Sequence, residues 1–275
     1  MMLCQSQTFK LPFNKKFYPI NQFQVEKVLG TGGSAIVYQC IDLKTKIKYV
    51  AKVFNEKSER HFHQEVEILK IIGFHRFIVK LENYIPNDII LFLCLNGKDL
   101  HQTVSENKNF DSEEIVVILK QIFTALDFFI YKRIIHRDIK PANIIYLNTP
   151  VDSAHVKIID FSLSYIYDPN QSRITMSGTK GMQAPEVLEG KPQDYSVDMW
   201  GAGIVMYFLL THHYPFDFNC DDKDLNERII NCKYNKDSKA FISISSNLKD
   251  IIQRLLVLKE KRLTPANCRR LLKDV

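Results

Sequence analysis

The chain has 275 residues, 45% of them hydrophobic and 25% charged, an ordinary balance for a globular protein with one large domain or two lobes around a substantial core. A formal charge of +6 favours anionic partners, whether nucleotides, acidic proteins or membrane surfaces, without choosing among them. It is not gathered into the Lys/Arg block of a nucleic-acid-binding arm: the densest run, KEKR at 259–262, is interrupted by an acid.

Residues 1–22 read as an extension in which Pro12 and Pro19 break any regular element. The start, MMLCQSQTFKLPFNKKF, lacks the long apolar core of a signal peptide. The six cysteines contain no C-x-x-C pair, which argues against a zinc ribbon or a thioredoxin-type site. Reduced thiols and an intracellular, cytoplasmic or nuclear location are therefore expected. From Phe23 to about Leu95 the text is strand-like: FQVEKVLG, AIVYQCIDL, KYVAKVF, FIVKLENYI and IILFLCL are β-branched and aromatic runs separated by turns. One helical insert, HFHQEVEILKIIG, interrupts them, with Gly73 placed to end it.

After Gly97 the period changes to that of a helix. DSEEIVVILKQIFTALDFFIYK puts Ile115, Ile118, Leu119, Ile122, Phe123, Leu126, Phe129 and Ile130 on one face, and Asp111 with Glu114 resembles a capping box. Two short strands are expected near 144–147 and 156–159, then a long polar stretch and further helices. MWGAGIVMYFLL, 199–210, is too short to cross a bilayer and reads as a buried core helix. A strand-rich part followed by a helix-rich part predicts an α+β protein with a ligand-binding cleft.

GTGGSAIV, 30–37, lies between two strand-like runs. Such a glycine-rich turn lets backbone N–H groups approach phosphate oxygens, although most such turns are plain hairpins. Lys52 follows in an otherwise apolar strand, and a buried ammonium needs a partner that Glu65 can supply. On those two signals alone, a paired lysine and a snorkelling surface lysine both stand open.

HRDIKPAN, 136–143, adds a catalytic text. With GTGGSAIV, VAK, QEVEIL, IIDFS, GTKGMQAPE, DMWGAG and KRLT in order from Phe23 to the C-terminus, the chain resembles the eukaryotic protein kinases of serine/threonine type. The resemblance implies a bilobal α+β fold, with a small lobe over 23–95 and a larger helical lobe over 96–275. It implies transfer of the γ-phosphoryl group of Mg²⁺-bound ATP to Ser or Thr hydroxyls of a protein substrate. The alternative is a nucleotide-binding pseudokinase scaffold. Asp138 is implied as the base and Lys140 as the contact to the γ-phosphate. Asn143 and Asp160 are implied as the metal ligands. Gly30, Thr31, Gly32, Gly33, Ser34 and Ala35 would cradle the phosphates, and Lys52, fixed by Glu65, would grip them. Val37, Ala51 and Ile145 would sandwich the adenine, with Phe92 at the back of its pocket and the backbone of Leu93 and Leu95 bonding its edge.

Further parts carry structural or regulatory expectations. His136 matches a packed histidine of the hydrophobic spine with Leu69, Leu81 and Phe161. Glu186 should pair with Arg262, and Asp198 should brace the catalytic-loop backbone. His61, His63 and His75 lack a matching set of metal ligands and read as solvated surface. Arg137 is placed to receive a phosphate on Thr175, or on Ser177, added by an upstream kinase or by autophosphorylation. A monomer is expected. The C-terminal text IVMYFLLTHHYPF with LKEKRLT resembles calcium/calmodulin-type kinases, whereas GTGGSAIVYQC and NGKDL resemble mitotic checkpoint dual-specificity kinases. Two positions depart from the family: Ala35 stands for the third Gly of G-x-G-x-x-G, and Ser162 for the Gly of D-F-G. The Ser162 Cβ costs little at negative φ and about 1–2 kcal/mol at positive φ, so the segment should flip less freely while catalysis stays possible.

Overall fold

The computed structural model describes residues 22–86, 88–106, 108–151, 154–171 and 174–273; the expected extension thus lies, but for Gln22, outside the described residues. The chain falls into two compact units. Among the described residues, one comprises those up to Gly73 together with those of Lys80–Leu95, the other Phe74–Val79 together with those from Asn96 on.

In the first unit β1 (Phe23–Thr31), β2 (Ala35–Asp42), β3 (Lys48–Phe54), β4 (Asn83–Ile85) and β5 (Ile89–Leu93) form an antiparallel sheet in the order β1-β2-β3-β5-β4. Cys40, Ala51, Ile89 and Leu91 pack into a core flanked by Phe23, Tyr49, Val53 and Ile85. Helix α1 (Glu59–Ile72) buries Phe62, Val66, Ile68, Leu69 and Ile72; Phe62 sets its ring edge-on to Phe54 of β3 at 5.6 Å. Gly73, at φ 63°, ends the helix and returns its N–H to the Leu69 carbonyl.

The expected strand over FIVKLENYI is shortened to β4. Its first part belongs elsewhere: Val79 donates to the Ile158 carbonyl at 3.0 Å, Ile158 donates to that of Phe77 at 2.9 Å, and Ile78 is fully buried. The apolar residues of 74–79 serve the core of the second unit, which a reading of periodicity alone cannot distinguish from a strand.

The second unit contains β6 (Gly97–Asp99), α2 (Leu100–Ser105), α3 (Ser112–Tyr131), β7 (Ile134–Ile135), β8 (Ile144–Val151), β9 (Ala154–Ile158) and β10 (Tyr165–Ile166). It continues with α4 (Pro185–Leu188), α5 (Ser196–Thr211), α6 (Asp222–Ile230), α7 (Lys239–Ser243), α8 (Ser246–Leu255) and α9 (Pro265–Leu271). The predicted apolar face of α3 is buried except for Ile130, which is half-buried. Its capping box forms only in part. Asp111 accepts from the Glu114 N–H at 2.7 Å, but the Glu114 carboxylate is engaged by Tyr146 and Lys108 instead of reaching back. Almost all of α5 is buried, as its apolar text predicts. A Cβ on its Gly201 would lie 2.4 Å from the Ile139 carbonyl oxygen, so this glycine lets the helix press directly against the backbone of the 136–143 segment. Among the described residues, no helix is long and apolar enough to cross a membrane, and Cys40, Cys94, Cys220, Cys232 and Cys268 are free.

Candidate active site

Within the first unit, β1 and β2 are joined through Gly32 and Gly33, and the Gly32 N–H closes the turn onto the Ala35 carbonyl at 2.9 Å. A Cβ at Gly30 or Gly33 would meet open space, so the protein's own packing does not demand those glycines. Register pairs Val37 with Lys52 and Lys52 with Ile90, which sets Lys52 in the middle of the sheet. Its ammonium sits 2.6 Å from Glu65 of α1, which is wholly buried. The question left open by the sequence resolves to the buried pair. Ala51 and Phe92 are buried, Val37 and Leu95 half-buried, and Leu93 more exposed.

In the second unit the chemistry gathers around Asp138. β8 and β9 pair antiparallel with Ile144 opposite Ile158. Asn143 precedes the one strand and Asp160 follows the other, so both leave the ladder at the same end, tied by the Ile159 N–H on the Asn143 carbonyl at 3.0 Å. Ile145, half-buried, is opposite Asp99 of β6.

Asp138 itself is nearly buried and accepts from donors on both of its oxygens. Its Oδ2 accepts from Lys140 at 2.7 Å and from Asn143 Nδ2 at 2.8 Å. Its Oδ1 accepts from the Thr179 hydroxyl at 2.7 Å and the Thr179 N–H at 3.2 Å. Lys140 also donates to that hydroxyl. Charge-assisted bonds of this kind fix a carboxylate in one orientation. Asn143 spends its amide N–H on the Asp138 carbonyl and carboxylate, which leaves its amide oxygen as the group that can meet a cation.

The loop is held from beneath by Asp198, whose two oxygens accept from the N–H groups of His136 at 2.8 Å and Arg137 at 2.7 Å. Burial pushes the Asp198 carboxyl up to about 7, against the lowering effect of those two bonds. His136 is fully buried, stacks against Phe129 and meets Phe161 edge-on at 4.8 Å. Its ring nitrogens lie 3.1 Å from the Ile159 carbonyl and 3.3 Å from the Asp138 N–H. Burial lowers its pKa, so it is a neutral packing residue, as the resemblance implied.

Arg137 reaches the following segment. Its side chain donates to the Leu163 carbonyl and to the Thr175 hydroxyl, both at 2.6 Å, and to the Ser177 hydroxyl at 3.3 Å. The guanidinium also lies over the Tyr165 ring. The Thr175 carbonyl is held by the Gln193 amide at 2.6 Å, a strut that no pattern in the sequence announces. A second missed contact was legible in principle. Ser162 donates to the Asp160 carboxylate at 2.7 Å, and Asp-x-Ser is a spacing at which short polar side chains meet. Left-handed backbone falls on Asp160, at φ 67°, and not on Ser162; the Cβ introduced at 162 is thus of the inexpensive kind.

Among the described residues there is no group of three or more His, Cys, Asp or Glu that could hold a metal ion by itself. The Asn143–Asp160 pair offers two hard oxygen donors, a set that fits Mg²⁺ completed by water and phosphate oxygens.

Comparison with known proteins agrees with this arrangement. The human calcium/calmodulin-dependent protein kinase type IV is 36% identical over 247 residues, covering 88% of this chain and 52% of the relative. Calcium-dependent protein kinase 3 of Plasmodium yoelii yoelii is 33% identical over 240 residues, 85% of this chain and 44% of the relative. Mouse death-associated protein kinase 2 is 31% identical over 271 residues, 94% of this chain and 71% of the relative. The chain thus spans about half the length of the first of these relatives. The protein kinase domain family matches residues 23–273, the span that carries the Lys52–Glu65 pair and the Asp138 network, and the chain belongs to that family.

Proposed function

We propose that the protein is a serine/threonine protein kinase that transfers the γ-phosphoryl group of Mg²⁺-bound ATP to protein hydroxyls. The observation that carries this reading is the Asp138 carboxylate, held by Thr179, Lys140 and Asn143 beside the strand end that bears Asp160. Asp138 orients the acceptor hydroxyl and takes its proton as the new O–P bond forms and the bond to ADP breaks. Lys140 neutralises charge on the γ-phosphate. Asn143 and Asp160 hold the divalent ion, whose contribution when bound is to neutralise phosphate charge. The backbone of Gly30, Thr31, Gly32, Gly33, Ser34 and Ala35 and the Lys52 ammonium hold the phosphates, with Glu65 keeping Lys52 in place. Val37, Ala51, Phe92, Leu93, Leu95 and Ile145 form the adenine contacts. The names of the relatives favour the calcium/calmodulin-type side of the two resemblances over the checkpoint type.

The test is a phosphotransfer assay of the purified chain with Mg²⁺-ATP and a generic protein substrate, with Asp160→Asn as control. Transfer by the wild type that is lost in the variant supports the reading. Nucleotide binding without transfer in the wild type would overturn it.

Thr175 is the regulatory residue of this reading, with Ser177 the neighbouring alternative. A phosphate there places about −1.5 to −2 of charge against Arg137, which already touches both hydroxyls. Thr175→Ala should be about fivefold or more less active than the phosphorylated wild type, which is below the contribution of one hydrogen bond to a charged group. Peptide mapping of active enzyme that finds no phosphate on Thr175 or Ser177 would end this assignment.

A further inference from the structure

Position 162 carries a side chain where D-F-G has none, and that side chain is engaged with a candidate metal ligand. The Ser162 hydroxyl donates to Asp160 Oδ1 at 2.7 Å, and its N–H approaches the same oxygen at 3.3 Å. The backbone on both sides of Asp160 is fixed by other means. Ile159 is tied to Asn143, and Ser164 closes a turn onto the Phe161 carbonyl at 3.0 Å. Phe161 is fully buried against Phe129 and His136, and the buried Ser164 hydroxyl donates to the His136 carbonyl at 3.2 Å.

With the chain so held, the freedom that matters at residue 160 is rotation of its carboxylate. A hydroxyl-to-carboxylate bond is charge-assisted and short, and it restrains that rotation. A carboxylate offers about four acceptor positions, so a hydrogen bond from Ser162 is compatible with the same group meeting a cation. Asp160 lies in the left-handed region at φ 67°, a conformation that short polar residues able to hydrogen-bond locally adopt most readily after glycine.

We propose that Ser162 is a positioning residue for the divalent ion: its hydroxyl holds the Asp160 carboxylate in the orientation that binds the ion, so that serine at this place strengthens metal binding. The inference rests on the assignment of Asn143 and Asp160 as metal ligands made above.

Mn²⁺ serves as the probe, titrated into the full chain with a non-hydrolysable ATP analogue present, the free ion being followed by electron paramagnetic resonance. Ser162→Ala keeps the Cβ and removes the hydroxyl, and should weaken Mn²⁺ binding about tenfold, within the range of a hydrogen bond to a charged group. Ser162→Gly should be at least as weak, and Ser162→Thr should stay within about twofold of the wild type, because it keeps the donor. In the transfer assay the metal concentration for half-maximal rate should rise in Ser162→Ala more than the rate at saturating metal falls. Equal Mn²⁺ affinity in wild type and Ser162→Ala overturns the proposal, as does a threonine variant as weak as the alanine one. Should the wild type bind Mn²⁺ no better than Asp160→Asn, the metal assignment itself fails and takes this inference with it.

Discussion

Asp138→Asn should lower the maximal rate of phosphotransfer by about 10²- to 10⁴-fold, the usual worth of a positioned general base, while the chain still binds nucleotide. The expectation follows from how the carboxylate is held. Its two oxygens face two separate sets of donors, Thr179 on one side and Lys140 with Asn143 on the other. An asparagine must turn its NH₂ towards one set or the other, so it loses the base and also opposes donor to donor at the centre of the loop. Asp138→Ala avoids that opposition and serves as the second variant. Transfer should be followed at saturating ATP. Nucleotide binding should be read as a rise in unfolding midpoint, which grows as RT ln(1 + [L]/Kd). Loss of transfer with the nucleotide-induced rise intact is the expected pair of results. Retention of transfer in both variants would remove Asp138 from the role of base, and loss of the nucleotide response in both would assign it to binding instead.

Much of this site could be read in the sequence because catalytic text is short and local. HRDIKPAN carries four of the groups in one loop, and IIDFS places its acid at the end of an apolar strand. Helix α3 was legible for a different reason: twenty residues of strict period leave little room for another structure. What escaped depended on contacts across distance. The strand expected over FIVKLENYI has the right composition, but its first half is claimed by hydrogen bonds to residues near 158, some eighty positions away. β6, β7 and β10 are two or three residues long, too short for any alternation to register. The Glu114 side chain was expected back at its own helix start, and Tyr146 and Lys108 won it through longer-range pairing. Gln193 gave no signal at all, since a polar residue in a loop has no period and its partner is a backbone carbonyl. Ser162 stands out in the sequence as a departure from D-F-G, but the backbone cost of its Cβ says nothing of its hydroxyl, which bonds Asp160.

The largest effect on stability is expected at Arg262. Its guanidinium is buried and spends all of its N–H groups. Nη1 meets Glu186 Oε1 at 2.6 Å and the Ser196 carbonyl at 2.8 Å. Nη2 meets Glu186 Oε2 at 3.1 Å and the Val257 carbonyl at 2.8 Å, and Nε meets the latter at 3.2 Å. The cation also lies 5.2 Å from the centre of the Trp200 ring. The pair therefore ties α4 to the start of α5 and to the turn after α8. Removing one partner strands the other charge in a site closed to water, which costs about 3–5 kcal/mol. For a unit of this size that is roughly 6–20 °C in unfolding midpoint. Arg262→Met should show this loss, and Arg262→Lys should recover little of it, because an ammonium cannot reproduce the two-pronged contact. The double variant Glu186→Leu/Arg262→Met should regain a substantial part, since burying neither charge removes the desolvation cost along with the attraction. Trp200 is the single tryptophan of the chain, so its fluorescence reports the unfolding of this region specifically. A midpoint in Arg262→Met within about 2 °C of the wild type, less than 1 kcal/mol by the same scaling, would mean that the buried pair contributes no more than an exposed one.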